Sequence, residues 1–349
     1  MTPKEEVLEA YDLPDNVEVE PIHNGLINST WHIKNSHNSF ILQKINHQVF
    51  KDPDAIASNV RMIADYLLKK KPQYLFVSQI KTNSGKEIMH VKGNGYFRLT
   101  NFIQNSHTIT IVEKPQQAFE AARKFGEFTY LLSKFPVQKL QTTIPDFHNL
   151  SLRFQQFNDA LKTGNKVRLR QSKELIEFIK DNKNIVDIYE KILQNPSFKL
   201  RVTHHDTKIS NVLFDKTDKG ICIIDLDTVM PGYFISDVGD MMRTYLSPAN
   251  EEEKDFSKID IREEYFQAIW NGYMTNMKHE LSEEEKSHFI YAGKFMIYMQ
   301  AIRFLTDHLN DDTYYGAKYE GNNFVRAGNQ VALLQCLFEK EERLKILMN

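Results

Sequence analysis

The first part of the chain, up to about residue 104, alternates short apolar and polar positions. Five runs show period-two patterning or an enrichment in β-branched and aromatic residues: "NVEVEPIH", "STWHIKN", "SFILQKIN", "YLFVSQIKT" and "YFRLTNFI". They predict an antiparallel sheet. Between the third and fourth runs, apolar residues recur at helical spacing from Ile56 to Leu67, behind Asp52 or Asp54 as a cap. One helix is therefore expected to interrupt the strands.

From about Lys114 onward the apolar positions follow helical periodicity, beginning with "PQQAFEAARKFGEFTYLLSKF". One stretch breaks this pattern, because "NVLFD" and "ICIIDLD" are short apolar strands with "KTDKG" as a turn between them. We therefore predict an α+β architecture with two lobes. The first, residues 1–104, holds the antiparallel sheet and its helix, and the second, residues 105–349, is mainly α and holds the hairpin.

The composition is that of a globular chain, with 349 residues of which 41% are hydrophobic and 26% charged. The net charge of -2 gives no overall field that would attract nucleic acid or an anionic membrane. Cys222 and Cys336 lie in apolar runs, which is typical of a reducing compartment. The start of the chain lacks a signal-peptide pattern, and no apolar run approaches about 18 residues. We expect a cytoplasmic protein that binds small molecules, not nucleic acid or membranes, and the oligomeric state stays open.

The stretch from Arg201 to Gly232, "RVTHHDTKISNVLFDKTDKGICIIDLDTVMPG", concentrates histidines and aspartates around the predicted hairpin. Adjacent side chains of an extended segment point to opposite faces, so His204 and His205 are not expected to bind one metal ion together. The chain has no H-E-x-x-H motif and no cysteine pair that would indicate zinc. A transition-metal site is not predicted here.

The same stretch contains the spacing H-x-D-x-x-x-x-N, formed by His204, Asp206 and Asn211 and followed after the hairpin by Asp225. In phosphoryl transfer an enzyme orients a hydroxyl in line with the γ-phosphorus and neutralises charge with Mg²⁺. Asp206 is suited to orient that hydroxyl, and Asn211 and Asp225 offer the oxygen ligands that Mg²⁺ prefers. The simpler alternative is a hairpin whose aspartates only cap turns.

Two segments, "HHDTKISNVLFD" and "IIDLDTVMPG", resemble the catalytic and metal-binding segments of the aminoglycoside phosphotransferase-like kinases, whose fold resembles that of protein kinases. Within that superfamily, "DTVMPG" is similar to N-acetylhexosamine 1-kinases, which phosphorylate the anomeric hydroxyl of GlcNAc or GalNAc. "GLINSTWHI", "FILQKIN", "TIPDFHNLSLRFQQF" and "AIRFLTDHLNDDTYYG" extend the resemblance from about residue 15 to residue 335. It implies a two-lobed protein-kinase-like fold, ATP and Mg²⁺ as cofactors, and a small-molecule sugar as substrate.

The resemblance implies a phosphate-binding loop in "PIHNGLINSTW", although a hairpin turn accounts for the same residues. Backbone N–H groups and polar side chains there are the expected phosphate ligands: Gly25, Asn28, Ser29 and Thr30. Lys44 matches the basic strand residue that reaches the nucleotide phosphates, with a solvated lysine as the alternative. The glutamate that usually pairs with this lysine is absent, and Asn59, Ser58 or Gln43 is the candidate replacement.

The resemblance implies further roles in the second lobe. His204 is expected to orient the catalytic loop and Asp237 to hold its backbone amides, with helix capping as the alternative for Asp237. The expected acceptor contacts, besides Asp206, are Arg303, Asp307, Tyr314 and Tyr315. A surface ion pair is the alternative for Arg303 and Asp307, which are four residues apart. His148 and Arg153 are expected to brace the lobes, and the backbone of Arg98–Ile103 to contact adenine.

These observations lead to one hypothesis about function. The protein is expected to be a Mg²⁺-dependent kinase that transfers the γ-phosphate of ATP to the anomeric hydroxyl of an N-acetylhexosamine. The first alternative is the same chemistry on another sugar, an amino alcohol or an antibiotic. The second is a catalytically silent nucleotide-binding module, against which the intact Asp206, Asn211 and Asp225 argue.

Overall fold

The computed structural model describes residues 5–14, 16–22, 27–35 and 38–348. They form two compact units, which are described separately. The first unit comprises the described residues of Met1–Thr108 together with Leu131–Pro145 and Asn211–Pro231. The second comprises Ile109–Tyr130, Asp146–Ser210 and Gly232–Asn349 up to residue 348.

The α-helices and β-strands are numbered in chain order. The helices are α1 Glu5–Ala10, α2 Pro53–Lys70, α3 Pro115–Leu131, α4 Leu150–Thr163, α5 Lys166–Gln171, α6 Lys173–Asp181, α7 Asn184–Gln194, α8 Phe234–Tyr245, α9 Glu263–Met277, α10 Glu283–Ser287, α11 Phe289–Leu309 and α12 Asn322–Ile346. The strands are β1 Glu18–Ile22, β2 Ser29–Lys34, β3 Ser39–Ile45, β4 Gln79–Ile80, β5 Met89–Val91, β6 Gly95–Asn101, β7 His107–Thr108, β8 Arg201–Thr203, β9 Val212–Phe214, β10 Gly220–Ile223 and β11 Met230–Gly232. The mixture of helices and antiparallel strands confirms the predicted α+β class.

The first unit is built on an antiparallel sheet in the order β1-β2-β3-β6-β4, with β5 also paired to β6. Four of the five predicted runs form the strands β1, β2, β3 and β6. The run "YLFVSQIKT" forms only the two-residue strand β4, and β5 was not predicted. The predicted helix is α2, which Asp52 caps by accepting a hydrogen bond from the Ala55 N–H at 3.0 Å. The short helix α1 was not predicted.

The two faces of this sheet differ in chemistry. In an antiparallel pair, residues directly opposite each other point to the same face. Leu42 is opposite Trp31 and Leu99, and these three belong to the apolar cluster that packs against α1. The other face carries polar side chains in register, because Gln43 is opposite Thr30 and Arg98.

The predicted hairpin forms as β9 and β10, paired antiparallel. Its turn is fixed by Asp215, whose Oδ1 accepts hydrogen bonds from the N–H groups of Thr217 (2.8 Å) and Lys219 (3.1 Å). A third strand, β7, pairs with β9. The hairpin thus belongs to the first compact unit, although its sequence position is within the predicted residues 105–349.

The second unit is helical and centred on α11, which packs against α12, α8 and α4. Side chains around the whole circumference of α11 are buried, among them Phe295, Tyr298 and Phe304. A helix that is apolar on all sides is buried on all sides, so α11 forms the core of the unit. In the part of the chain that the structure describes, no helix combines the length and apolar character needed to cross a membrane.

Candidate active site

The segment from His204 to Thr207 follows β8 and is anchored by helix α8 in the second unit. The carboxylate of Asp237 accepts the His205 N–H at Oδ1 (2.8 Å) and the His204 N–H at Oδ2 (3.0 Å). The Thr207 hydroxyl donates to the Asp237 carbonyl oxygen at 2.7 Å. Burial raises the pKa of Asp237 to about 7, against the opposing effect of these two backbone N–H donors.

A second carboxylate of α8 continues this anchoring. Asp240 Oδ2 accepts the Thr207 N–H at 2.8 Å, and its Oδ1 accepts Arg243 Nη2 at 3.0 Å. Tyr245 donates its hydroxyl to the Thr207 carbonyl. Burial raises the pKa of Asp240, and the neighbouring Arg243 opposes that shift. The backbone on both sides of Asp206 is therefore fixed by side chains of one helix.

Asp206 itself is partly accessible, with 23% of its side chain exposed. Its backbone N–H donates to His204 Nδ1 at 3.4 Å, and its Oδ2 lies 3.0 Å from Lys208 Nζ. Lys208 was not among the predicted site residues. A lysine ammonium at this position offers a donor to phosphate oxygens.

The two histidines of this segment point in different directions. The His204 ring packs edge-on against Phe125, with 5.2 Å between centroids. His205 has a positive φ of 65°, and its ring lies 5.3 Å from His148 and 6.5 Å from Phe147. His205 therefore contacts the aromatic residues that precede α4, a role that the sequence did not reveal.

Asn211 and Asp225 lie together in the first unit, at the open end of the hairpin. The register pairs Ile223 with Val212, and the Ile224 N–H donates to the Asn211 carbonyl oxygen at 2.9 Å. Asp225, the next residue, adopts a left-handed conformation with φ of 60°. An amide and a carboxylate at adjacent positions are hard oxygen donors, so this donor set fits Mg²⁺.

The residues predicted to bind phosphate are only partly described. Gly25 lies outside the described residues. Asn28 donates from Nδ2 to Asp227 Oδ2 at 2.8 Å and accepts the Asn46 N–H at 2.9 Å. Ser29 is exposed at the start of β2, and Thr30 Oγ1 accepts Gln43 Nε2 at 3.3 Å.

Lys44 lies on the apolar face of the sheet, opposite Phe97, and its Nζ donates to Asn94 Oδ1 at 3.1 Å. Gln43 faces the other side and accepts Arg98 Nε at 2.9 Å. Asn59 is fully buried and donates to the carbonyl oxygens of Gln141 (2.8 Å) and Val229 (3.1 Å). Asn59 thus links segments of the first unit, and the assignment of Lys44 to the nucleotide stays a prediction.

The predicted acceptor residues cluster in the second unit. The guanidinium of Arg303, on α11, lies 5.3 Å from the ring centre of Tyr315 and 5.9 Å from those of Tyr314 and Phe147. Its Nη1 donates to Gln300 Oε1 at 3.1 Å. Tyr314 is 71% exposed, whereas burial raises the pKa of Tyr315. Aromatic walls around a hydrogen-bond donor are typical of a small-molecule pocket.

Asp307 holds the chain that carries the two tyrosines. Its Oδ1 accepts the Tyr314 N–H at 2.7 Å, and its Oδ2 accepts the Tyr315 N–H at 2.9 Å and Asn323 Nδ2 at 3.1 Å. The carboxylate is thus occupied by these donors rather than by an ion pair with Arg303. Direct contact between Asp307 and an acceptor stays a prediction.

Arg153 and His148 extend this cluster. Burial and the charge of Arg303 lower the pKa of Arg153, whose Nη2 donates to the Asp146 carbonyl oxygen at 2.9 Å. Burial, together with His205 and Arg303, holds the pKa of His148 well below its usual range. Among the described residues, His148 Nδ1 is buried without a hydrogen-bond partner. The neutral imidazole therefore offers an unused polar atom beside two guanidinium groups.

Several contacts near the candidate site were not predicted from the sequence, namely those of Asp227, His205, Lys208 and Asp240, and those of the Arg98 side chain, since only a backbone contact to adenine was expected of Arg98. Arg98 and Asp227 form a buried ion pair in the first unit although they are 129 residues apart. One signal was available, since Arg98 is the one charged residue of the strand "GYFRLTN". A buried charge in a strand requires a partner, but the sequence does not say which one.

The fold is shared with known kinases. The microcompartment-associated aminopropanol kinase is 13% identical at a TM-score of 0.68, over 99% of this chain and 98% of that chain. An aminoglycoside phosphotransferase from Alicyclobacillus acidocaldarius is 11% identical at a TM-score of 0.65, over 98% and 97%. Choline kinase from Cryptosporidium parvum is 14% identical at a TM-score of 0.58, over 99% and 98%. The structure therefore has the predicted fold of the aminoglycoside phosphotransferase-like kinases.

Residues 18–269 also match the sequence model of the phosphotransferase enzyme family, APH. This match covers most of the chain and includes Asp206, Asn211 and Asp225. The chain belongs to this family.

Proposed function

We propose that the protein transfers the γ-phosphate of ATP to the anomeric hydroxyl of an N-acetylhexosamine, giving the sugar 1-phosphate. The proposal is supported first by the family and by the intact Asp206, Asn211 and Asp225. Asp206 aligns the hydroxyl and accepts its proton, and the anchoring of its loop by Asp237 and Asp240 keeps the carboxylate in place.

Asn211 and Asp225 are the residues that would hold Mg²⁺. The ion neutralises charge on the transferred phosphoryl group when it is bound. The hydrogen bond from the Ile224 N–H to the backbone carbonyl of Asn211 keeps the backbone of Asn211 beside the residue that precedes Asp225. The chain's own contribution is thus to preorganise two oxygen ligands at the end of the hairpin.

The choice of an uncharged acceptor rests on the charges around Arg303. Most acidic side chains of this part of the second unit are engaged by arginine or by backbone N–H groups: Asp240 and Glu251 by Arg243, Asp312 by Arg168, and Asp307 by Tyr314 and Tyr315. The exception is Asp146, whose Oδ1 accepts Asn149 Nδ2 at 2.8 Å. Arg153 and Arg303, in contrast, donate to uncharged oxygens: Arg153 to the backbone carbonyl of Asp146 and the side chain of Gln156, and Arg303 to the side chain of Gln300. The cluster therefore has excess positive charge, which disfavours a cationic acceptor.

This charge argument separates the protein from several kinases that share its fold, which are named for aminopropanol, choline and ethanolamine. An ammonium group needs free carboxylates or an aromatic cage without competing guanidinium groups. An N-acetylhexosamine is neutral and offers hydroxyl and carbonyl oxygens, which accept hydrogen bonds from Arg303 and Arg153. A cytoplasmic location is part of the proposal and is supported by Cys222 and Cys336, which are not joined in a disulfide.

The test is product identification. The full-length protein is incubated with Mg²⁺ and ATP against GlcNAc, GalNAc, glucose, galactose, an aminoglycoside, choline and aminopropanol. We expect GlcNAc or GalNAc to give a product whose phosphorus couples to the anomeric proton in the NMR spectrum. Turnover of an amine in preference to every sugar would overturn the assignment of the acceptor, and no ATP turnover with any compound would favour a silent nucleotide-binding module.

A further inference from the structure

A buried ion pair links the strand β6 to the "DLD" segment in the first unit. Arg98 is 4% exposed and Asp227 is 1% exposed. Arg98 Nη1 donates to Asp227 Oδ1, and Asn28 Nδ2 donates to Asp227 Oδ2 at 2.8 Å. The pair therefore joins the predicted phosphate-binding loop, through Asn28, to the segment that carries the candidate metal ligand Asp225.

The pair lies on the polar face of the sheet. Arg98 is opposite Gln43 in the β3–β6 register, whereas Lys44 is opposite Phe97 and points to the apolar face. The hydrogen bond from Arg98 Nε to Gln43 Oε1 fixes the guanidinium on its side of the sheet. On this face of the sheet Arg98 is the cation that pairs with Asp227, whereas Lys34, which shares the face, pairs with Glu20.

The guanidinium retains unused donors. Nε and Nη1 are occupied by Gln43 and Asp227, but Nη2 makes no hydrogen bond to any residue that the structure describes. Two carboxylate or phosphate oxygens match the fork of a guanidinium, which binds such groups in a bidentate way. Burying this charge is costly, and a purely structural pair gains little over an apolar one of the same size.

We propose that Arg98, and not Lys44, is the strand cation that contacts the phosphates of the bound nucleotide, and that Asp227 and Gln43 position it. The inference rests on the proposed function only in taking a nucleoside triphosphate as the phosphoryl donor. Asp227 leaves Nη2 free and holds the guanidinium next to Asn28. Arg98 is then a phosphate-binding residue, and Asp227 is a positioning residue that acts through it.

The test is nucleotide binding, measured by titration calorimetry without any acceptor. The ligands are Mg·AMP-PNP, which carries the phosphates, and adenosine, which does not. The comparison is between Asp227→Asn alone and Arg98→Gln combined with Asp227→Asn, so that no unpaired carboxylate is left buried. Lys44→Gln is the competing variant, and Arg61→Gln is the matched control, because Arg61 pairs with Glu87 and not with Asp227.

Adding Arg98→Gln to Asp227→Asn is expected to weaken Mg·AMP-PNP binding about 10- to 100-fold, the usual range for a charged hydrogen bond, with adenosine affinity changed less than about 2-fold. Arg98→Lys, which keeps the charge and loses the fork, is expected to show a smaller loss confined to Mg·AMP-PNP. If the double variant does not fold, Arg98→Lys alone tests the proposal.

Three results would overturn the role of Arg98: equal losses for adenosine and Mg·AMP-PNP, unchanged Mg·AMP-PNP affinity, or a larger loss for Lys44→Gln than for the Arg98 variants. The failure of the proposed function looks different. Binding of Mg·AMP-PNP without phosphorylation of any sugar would overturn only the acceptor assignment. Absence of nucleotide binding by the wild-type protein would overturn both.

Discussion

The backbone N–H of His205 donates to Asp237 Oδ1 at 2.8 Å, immediately before the candidate catalytic residue Asp206. The N–H of His204 occupies the other oxygen at 3.0 Å, so both lone-pair sites of a fully buried carboxylate are directed at one loop. The geometry of Asp206 therefore depends on a helix residue that itself has no contact with solvent. The stability of the second unit and the placement of Asp206 therefore depend on the same residue, Asp237.

Asp237→Asn is expected to remove a pH dependence of stability. An aspartate has a pKa of about 3.9 when unfolded, and burial raises that of Asp237 to about 7. Between these pH values the folded state binds more protons than the unfolded state. The stabilisation of the folded state by protonated Asp237 is therefore complete below about pH 4 and is lost as the pH rises through 7. The loss is on the order of 4 kcal/mol at about 1.4 kcal/mol per pKa unit.

The measurement is urea unfolding followed by circular dichroism between about pH 4.5 and 7.5. The difference in unfolding free energy between wild type and Asp237→Asn should shrink as the pH rises. The exposed Asp159 on α4 provides a control, Asp159→Asn, for which no such trend is expected. A difference that stays constant with pH would contradict the prediction.

Asp206→Asn is expected to abolish most turnover while the protein remains folded. Removing a group that aligns a hydroxyl and accepts its proton costs about 10²- to 10⁴-fold in kcat. Because the side chain is 23% exposed and paired with the partly exposed Lys208, the melting temperature should change little. Steady-state kinetics and a thermal melt of the same sample check both parts, with Asp159→Asn again as the control. A kcat within about 3-fold of wild type would remove Asp206 from the mechanism.

The hairpin shows what the sequence could predict and why. Strands β9 and β10 were predicted because turn residues separate two short apolar runs, and this is local information. Asn211 and Asp225 come close at the open end of that hairpin only because a β-bulge between Gly220 and Cys222 shifts the register that the turn sets, and this bulge was not predicted. In contrast, Arg98 and Asp227 are 129 residues apart, and no local pattern relates them.

The acceptor side shows the opposite case, in which a local pattern misleads. Arg303 and Asp307 have the spacing of a helical ion pair, but Asp307 instead accepts the backbone N–H groups of Tyr314 and Tyr315. The chain turns back after α11, and the backbone N–H groups of this loop, which need acceptors, compete for the carboxylate. This competition depends on the path of residues 310–316, which the helical pattern does not encode.

Arg303→Gln is expected to weaken acceptor binding selectively. The guanidinium lies against the rings of Phe147, Tyr314 and Tyr315 and has no carboxylate partner among the described residues, so its removal leaves no buried charge unpaired. We expect the acceptor KM to rise about 10- to 100-fold, as for the loss of a charged hydrogen bond, and the ATP KM to stay within about 2-fold. Arg170→Gln, at an exposed position of α5, is the matched control. An equal rise of both KM values would indicate a general structural role instead.

Asp307→Asn should separate loop order from direct contact. The substitution replaces one carboxylate oxygen by an NH2 group, which cannot accept the backbone N–H of Tyr314 or Tyr315. One hydrogen bond is therefore lost, and the new NH2 donor faces a backbone N–H donor. We expect a loss of about 1–3 kcal/mol in unfolding free energy together with a higher acceptor KM. Hydrogen exchange of Tyr314 and Tyr315 should become faster. A raised KM with unchanged exchange at both residues would instead favour direct contact between Asp307 and the acceptor.

Glu285→Gln is expected to destabilise the second unit without changing its chemistry. Glu285 is fully buried, its Oε2 accepts Arg201 Nη2 at 2.9 Å, and it closes a capping box with Ser282 at the start of α10. Breaking a buried pair by neutralising one partner leaves the arginine uncompensated and costs about 3–5 kcal/mol. Glu283→Gln, in the same helix turn but with 90% of its side chain exposed, should cost less than about 0.5 kcal/mol.

Denaturant unfolding compares the two variants, and kinetics well below the transition should give wild-type KM values for both. A similar small loss for Glu285→Gln and Glu283→Gln would show that the Arg201–Glu285 pair does not stabilise the unit.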